Sequence, residues 1–207
     1  MTTVADAGTS RDAFDIVVMG GGTVGLLFVR LLQAALPAAV QPRIAIIEPD
    51  PPAPEQPEID LRVSALAPAS AEFLRQVEVW PQVPDEKCCP FERMCVWQGA
   101  GGPTGGSSLR FDAAGSGLPA LGYITENHAL RRQLWAQVAA TEGCELITGR
   151  AAAVHIDSAT GRVALADRQL TTRLLIGADG VNSWLRDRLG VAQREHDYAQ
   201  RAVVAHL

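Results

Sequence analysis

The chain has 207 residues, of which 47% are hydrophobic and 20% charged. That is enough apolar content to build one large domain or two small ones, and it excludes a disordered, highly charged tail. A net charge of −5 and an aromatic share of 5% argue against nucleic acid as a partner, whether held by phosphate neutralisation or by base stacking. Lys87 is the single lysine. The four cysteines (Cys88, Cys89, Cys95, Cys144) show no CxxC spacing, so free thiols in a cytoplasmic protein are expected, not a metal site or a disulfide framework. Residues 1–14 lack the basic start and apolar core of a signal peptide. The longest apolar stretch, Ile16 to Leu32, is interrupted by three consecutive glycines and Arg30, which rules it out as a spanning helix. Docking at a membrane surface stays open.

In chain order, Asp15-Ile-Val-Val-Met-Gly20 reads as a buried parallel strand, and the apolar stretch from Thr23 to Leu36 as a buried helix. Arg43-Ile-Ala-Ile-Ile-Glu48 is a second such strand. Five prolines from Pro49 to Pro57 make a surface loop, and Pro68 opens a helix to Val77. Arg93–Gln98 and Leu109–Asp112 read as strands around a glycine-rich tip, followed by a short strand at Tyr123–Thr125. Asn127 can cap a helix to about Thr141, which Gly143 can end. Strands are expected at Glu145–Thr148, Ala152–Asp157, Arg162–Ala166 and Arg173–Ile176, with a turn at Asp157-Ser-Ala-Thr-Gly161. A short helix, Asn182–Leu189, and a last strand, Ala199–Leu207, complete the reading.

Gly20-x-Gly22-x-x-Gly25 follows a strand, opens a helix, and is answered by Glu48 at the end of the next strand. This is the context in which a glycine motif points to a dinucleotide. Gly20 allows the tight turn, Gly22 lets a pyrophosphate approach the backbone, and Gly25 lets helix and strand pack closely. The helix N-terminus presents free amides and the positive end of its dipole, and Glu48 can accept ribose hydroxyls. Val24 lies inside this motif and counts with it as cofactor-binding. A second marker, Gly177-Ala-Asp179-Gly180-Val-Asn-Ser183-Trp-Leu-Arg186, sits in another strand-to-helix turn. Asp179 there either accepts ligand hydroxyls or caps the helix. The four histidines have no spacing for metal binding or nucleophilic catalysis, and no metal is expected.

With these motifs in place the chain resembles the FAD-dependent aromatic hydroxylases related to para-hydroxybenzoate hydroxylase, most of all the ubiquinone-biosynthesis flavin hydroxylases. The resembling segments are Asp15–Gly25, Asp60-Leu-Arg-Val-Ser-Ala-Leu66, Met94-Cys-Val-Trp97, Leu121-Gly-Tyr-Ile-Thr-Glu-Asn127, Gly177–Arg186 and Tyr198-Ala-Gln-Arg-Ala-Val-Val204. The resemblance implies that Arg62 contacts the flavin nucleotide, Asn127 the ribityl region, and the backbone of Val154 the adenine. It implies FAD as cofactor, NAD(P)H as electron donor and a small aromatic, phenolic substrate hydroxylated with O₂. Other quinone-biosynthesis proteins and the membrane surface are further implied partners.

The implied fold is α/β: a Rossmann-like parallel sheet with helices on one face and the 152–166 hairpin as a layer on the other. The expected FAD-binding domain is 1–85 with 126–192, and a partial, mixed-sheet substrate domain is 86–125 with 193–207. Family members are about twice as long and carry a Gly-Asp motif that has no counterpart here. The chain therefore looks like an N-terminal half, expected on its own to hold FAD weakly and to hydroxylate nothing. A non-catalytic partner protein, or an FAD-dependent reductase on the same fold, are the alternative readings.

Overall fold

The computed structural model describes residues 10–54 and 60–203. The chain start, positions 55–57 of the proline loop and the end of the last expected strand lie outside them. In chain order the elements are β1 (Ala13–Met19), α1 (Thr23–Ala35), β2 (Ile44–Glu48), β3 (Val63–Leu66) and α2 (Pro68–Gln76). Then come β4 (Cys88–Phe91), β5 (Arg93–Val96), β6 (Leu109–Asp112), β7 (Gly122–Glu126) and α3 (Asn127–Ala139). Last are β8 (Cys144–Thr148), β9 (Ala153–Ile156), β10 (Gly161–Ala164), β11 (Gln169–Gly177) and α4 (Trp184–Arg188). They form two compact units, Met1–Ala53 with Leu134–Leu207 and Pro54–Gln133, one boundary falling within α3.

The first unit is a six-stranded sheet in the order β8-β2-β1-β11-β10-β9. The first four strands run parallel and the last two antiparallel. Val17, Val18, Ile44, Ala45 and Ile46 are fully buried, as expected of central parallel strands covered on both faces. Leu26 and Val29 of α1 join this core with no exposure at all. Polar groups tie α1 to its neighbours. The Arg30 guanidinium donates to Gln33, to Gln137 of α3 and to Thr141 just beyond it, while the Gln33 amide donates to the Cys144 thiol.

The second unit holds a three-stranded antiparallel sheet, β3-β7-β4, and a separate ribbon of β5 with β6. Helix α2 starts on Pro68, the first-turn position at which proline costs no hydrogen bond. Its Arg75 lies 5.4 and 5.5 Å from the ring centres of Trp80 and Tyr123 and donates to the Tyr123 hydroxyl.

Several expectations need correction. The hairpin of β9 and β10 is not a separate layer: it continues the main sheet, because the first half of β11 pairs with β10 while most of the strand pairs with β1. That double pairing makes β11 nine residues long, where four were expected. Residues 199–203 are not a strand; Ala199 takes a left-handed conformation, φ 52°, which interrupts an extended run. Strands β3 and β4 were not foreseen, and β4 is an edge strand, where Pro90 is tolerated.

The turn between β9 and β10 rests on one carboxylate. Asp157 Oδ1 accepts the amides of Ala159 and Thr160 at 2.9 and 2.8 Å. These bonds, with the Thr160 hydroxyl, lower its pKa from 3.8 to about 2. A carboxyl whose folded pKa is depressed stabilises the fold above its ordinary value and loses that contribution as pH falls through the folded one. Asp157→Asn should therefore lower the thermal midpoint at pH 6, and the gap to wild type should narrow as pH falls from about 4 towards 2. Melts across that range check this; a gap that does not change with pH would contradict it.

Candidate cofactor-binding site

Three strand ends of the first unit meet at the turn between β1 and α1. The Gly20 amide donates to Ile47 O at 2.9 Å, and the Ala178 amide donates to Met19 O at 2.7 Å. Gly20 has φ +106°, and a Cβ there would stand 2.4 Å from Ala178 O and 2.8 Å from Asp179 Cα. Glycine is thus required twice at this position, by conformation and by the backbone crossing it. A Cβ on Gly25 would stand 2.2 Å from Gly20 O, so helix and turn touch through bare backbone. A Cβ on Gly21 would stand 2.8 Å from the Trp135 ring of α3 and 2.9 Å from Glu48 Cβ.

Gly22 differs. Its φ of −76° and ψ of 176° suit any residue, and a Cβ there would meet nothing within 4 Å. No packing or backbone constraint of the fold accounts for glycine at this position. Gly22 is the N-cap of α1, makes no side-chain cap bond, and has no acidic residue in the turn after it. The helix start therefore carries no acidic side chain of its own and opens onto free space, which suits an anionic group. Val24, in the same turn, is 75% exposed.

Glu48 ends β2 with its carboxylate folded back on the turn. Oε2 accepts the Gly21 amide at 2.7 Å and Oε1 the Asp50 amide at 2.9 Å. A carboxylate can accept more bonds than two, so fixing the turn and receiving ribose hydroxyls are compatible roles. Asp179 stands against Gly20, which brings the second marker to the first. Its Oδ1 accepts the Ser183 hydroxyl at 2.5 Å and its Oδ2 the Leu185 amide at 3.0 Å, while Ser183 Oγ accepts the Arg186 amide. Of the two roles open to Asp179, helix capping is the one these bonds display. Val154 lies on the edge strand β9, opposite Val163, with its side chain packed on the sheet core.

Arg62 and Asn127 belong to the second unit, where they are neighbours: the Asn127 amide donates to Arg62 O at 3.1 Å. Asp60 Oδ1 accepts the Arg62 amide at 2.9 Å, and Asp60 Oδ2 lies 3.7 Å from His128 Nε2. Trp135 escaped the sequence reading, while Gly21 and Ser183 stood in it inside their motifs with no role of their own. Gly21 could have been noticed as the middle of three successive glycines, whereas nothing local marks Trp135. Burial pushes the thiols of Cys88 and Cys144 above their ordinary pKa, so neither offers a thiolate nucleophile near neutral pH.

Gly25 and Gly22 should respond oppositely to a methyl group. Alanine normally improves a helix over glycine by about 1 kcal/mol. Gly25→Ala should instead cost about 1–3 kcal/mol through overpacking on Gly20 O, whereas Gly22→Ala should stay within about 1 kcal/mol of wild type. Urea unfolding of both variants measures this, and a stabilised Gly25→Ala would contradict the geometry.

No family model matches the chain. It is 32% identical over 197 residues to 3-demethoxyubiquinol 3-hydroxylase of Escherichia coli (strain K12), covering 92% of this chain and 47% of that protein. It is 30% identical over 221 residues to the mitochondrial ubiquinone biosynthesis monooxygenase COQ6 of Danio rerio, covering 98% of this chain and 44% of the relative. The chain thus spans about half the length of the curated relatives it matches. Among solved structures, PqsL of Pseudomonas aeruginosa, described as a probable FAD-dependent monooxygenase, superposes with a TM-score of 0.68 at 22% identity, covering 88% of this chain and 47% of that one. That likeness establishes the fold, and the sequence matches establish the kinship: the chain is a homologue of the ubiquinone-biosynthesis hydroxylases over about half of their length, built on the FAD-dependent monooxygenase fold.

Proposed function

We propose that this chain is the FAD-binding part of an aromatic hydroxylase acting on a phenolic ring, with a polyprenylated ubiquinone precursor as the substrate class. The observation that carries the reading is Gly22: a glycine with an ordinary backbone and open space before it, at a helix start with no side-chain cap and no acidic residue in its first turn. The names of the relatives support the chemistry, since they are hydroxylases and monooxygenases of ubiquinone biosynthesis.

The residues fit the cofactor. Gly20 would make the tight turn on which Gly22, Val24 and Gly25 hold the pyrophosphate through backbone amides, Glu48 would hold the adenosine ribose, and the Val154 backbone the adenine. Arg62 would pair with phosphate or sugar oxygens through its guanidinium fork, Asn127 would meet the ribityl chain, and Asp179 would hold the α4 turn against Gly20. In this reading residues 1–85 and 126–192 serve FAD, and 86–125 with 193–207 serve the substrate. Bound FAD, reduced by NAD(P)H, would supply the oxygen-activating chemistry; the protein contributes binding, orientation and exclusion of water. A polyprenyl tail would bring the protein to a membrane surface. No helix among the described residues is long and apolar enough to cross one.

Gly22→Asp tests the site. Aspartate is a favoured N-cap and complements the helix dipole, so the thermal midpoint should hold or rise. The same carboxylate fills the open space and opposes a pyrophosphate, so FAD affinity, read by flavin fluorescence titration, should fall at least about tenfold, a change of about 1.4 kcal/mol. Unchanged affinity in the folded variant would remove the pyrophosphate from this turn.

A further inference from the structure

We propose that Lys87 and Glu126 form a positioning pair, a buried ion pair that fixes Arg62 and Asn127 relative to each other as one binding edge. What that edge binds rests on the flavin reading above; that the pair fixes it does not. Lys87 is the chain's single lysine, yet it is 6% exposed and its Nζ lies 3.1 Å from Oε1 of Glu126, itself 8% exposed. Oε1 accepts no well-aligned hydrogen bond, so charge rather than directional bonding holds these atoms together.

The pair sits at one rung of the small sheet. Glu126 is the last residue of β7 and pairs with Val63, the first of β3. Arg62 and Asn127 are the next residues out on either side of that rung, and the Asn127 amide closes onto Arg62 O. Lys87 immediately precedes β4, whose Cys88 pairs with Thr125, and the Thr125 hydroxyl donates to Lys87 O at 3.2 Å. All three strands are therefore tied at the place from which the two candidate flavin contacts emerge. Arg62 is exposed and Asn127 half-buried, so both can reach a ligand while their backbones are held.

A buried ion pair is a poor source of stability, because desolvation cancels most of the attraction and an apolar pair of similar volume does as well or better. It does penalise misplacement, since a shift of β4, or of the Glu126 rung on which β3 pairs, leaves a buried charge without its partner. Short strands of four and five residues have little other means of fixing register.

The test compares wild type with Lys87→Met, Glu126→Leu and the double variant, reading thermal midpoint, amide hydrogen exchange at Asn127 against Ile46, and FAD titration. Each single variant should lose stability by leaving one charge buried, and the double variant should return close to the wild-type midpoint. Even so, in the double variant the Asn127 amide should exchange about tenfold faster with Ile46 unchanged, and FAD affinity should fall about tenfold. Wild-type exchange at Asn127 in the double variant would overturn the proposal, whereas faster exchange with undiminished FAD affinity would uphold the positioning role and overturn the flavin as what this edge binds. If wild type itself takes up no FAD, the flavin reading falls, and the exchange measurement alone decides the positioning role. If the double variant does not fold, Glu126→Gln is read by the same exchange experiment with the same two outcomes.

Discussion

The first unit depends on one close approach of backbone to backbone. Ala178, at the end of β11, crosses Gly20 so closely that a methyl group on the glycine would lie 2.4 Å from the Ala178 oxygen. That crossing lets the Ala178 amide bond Met19 O while the Gly20 amide bonds Ile47 O. Three parallel strands are thereby locked at their carboxyl ends, and the chain leaves in a fixed direction to begin α1. Ligands of open α/β sheets bind at such strand ends. The glycines divide accordingly. Gly20, Gly21 and Gly25 are each required by what packs on them. Gly22 is required by nothing among the described residues, and it is the one of the four that faces open space.

The carboxylates around this turn show how a binding site and a folding device share residues. Glu48 accepts the Gly21 amide, which holds the middle of the turn, and Asp179 uses both oxygens to start α4. Neither geometry is spare decoration: moving Glu48 frees the turn it would present to a ligand, and moving Asp179 loosens the element that crosses Gly20. The second unit solves the same problem with charge, using the buried Lys87–Glu126 pair where its strands are too short to fix themselves.

Legibility in the sequence followed how local the cause was. The strand–helix–strand unit from Asp15 to Glu48 was readable because its burial on both faces writes continuous apolar runs. The glycine motif was readable because strand, turn and acidic residue sit within one stretch of chain. Strands β3 and β4 were not, since four residues with a proline at Pro90 carry no period, and they exist only because β7 lies between them. The placing of β9 and β10 in the main sheet depends on β11 pairing on both its edges, which no local pattern records. Trp135 over Gly21 and the Lys87–Glu126 contact likewise join residues far apart in sequence. Asp179 was legible as a position with two roles, and the hydrogen bonds of Ser183 and Leu185 display one of them.

The central claim is that the start of α1 receives the pyrophosphate of FAD. The most direct measurement is a nitrogen–proton correlation spectrum of the ¹⁵N-labelled chain recorded as FAD is added to millimolar excess, a range that also reports weak binding. The account predicts that the amides of Gly22, Thr23, Val24 and Gly25 shift progressively and saturate together, while those of the β9–β10 turn at Ser158 and Ala159 stay still. Saturating shifts confined to other surfaces, or no shift at these four amides, would contradict it.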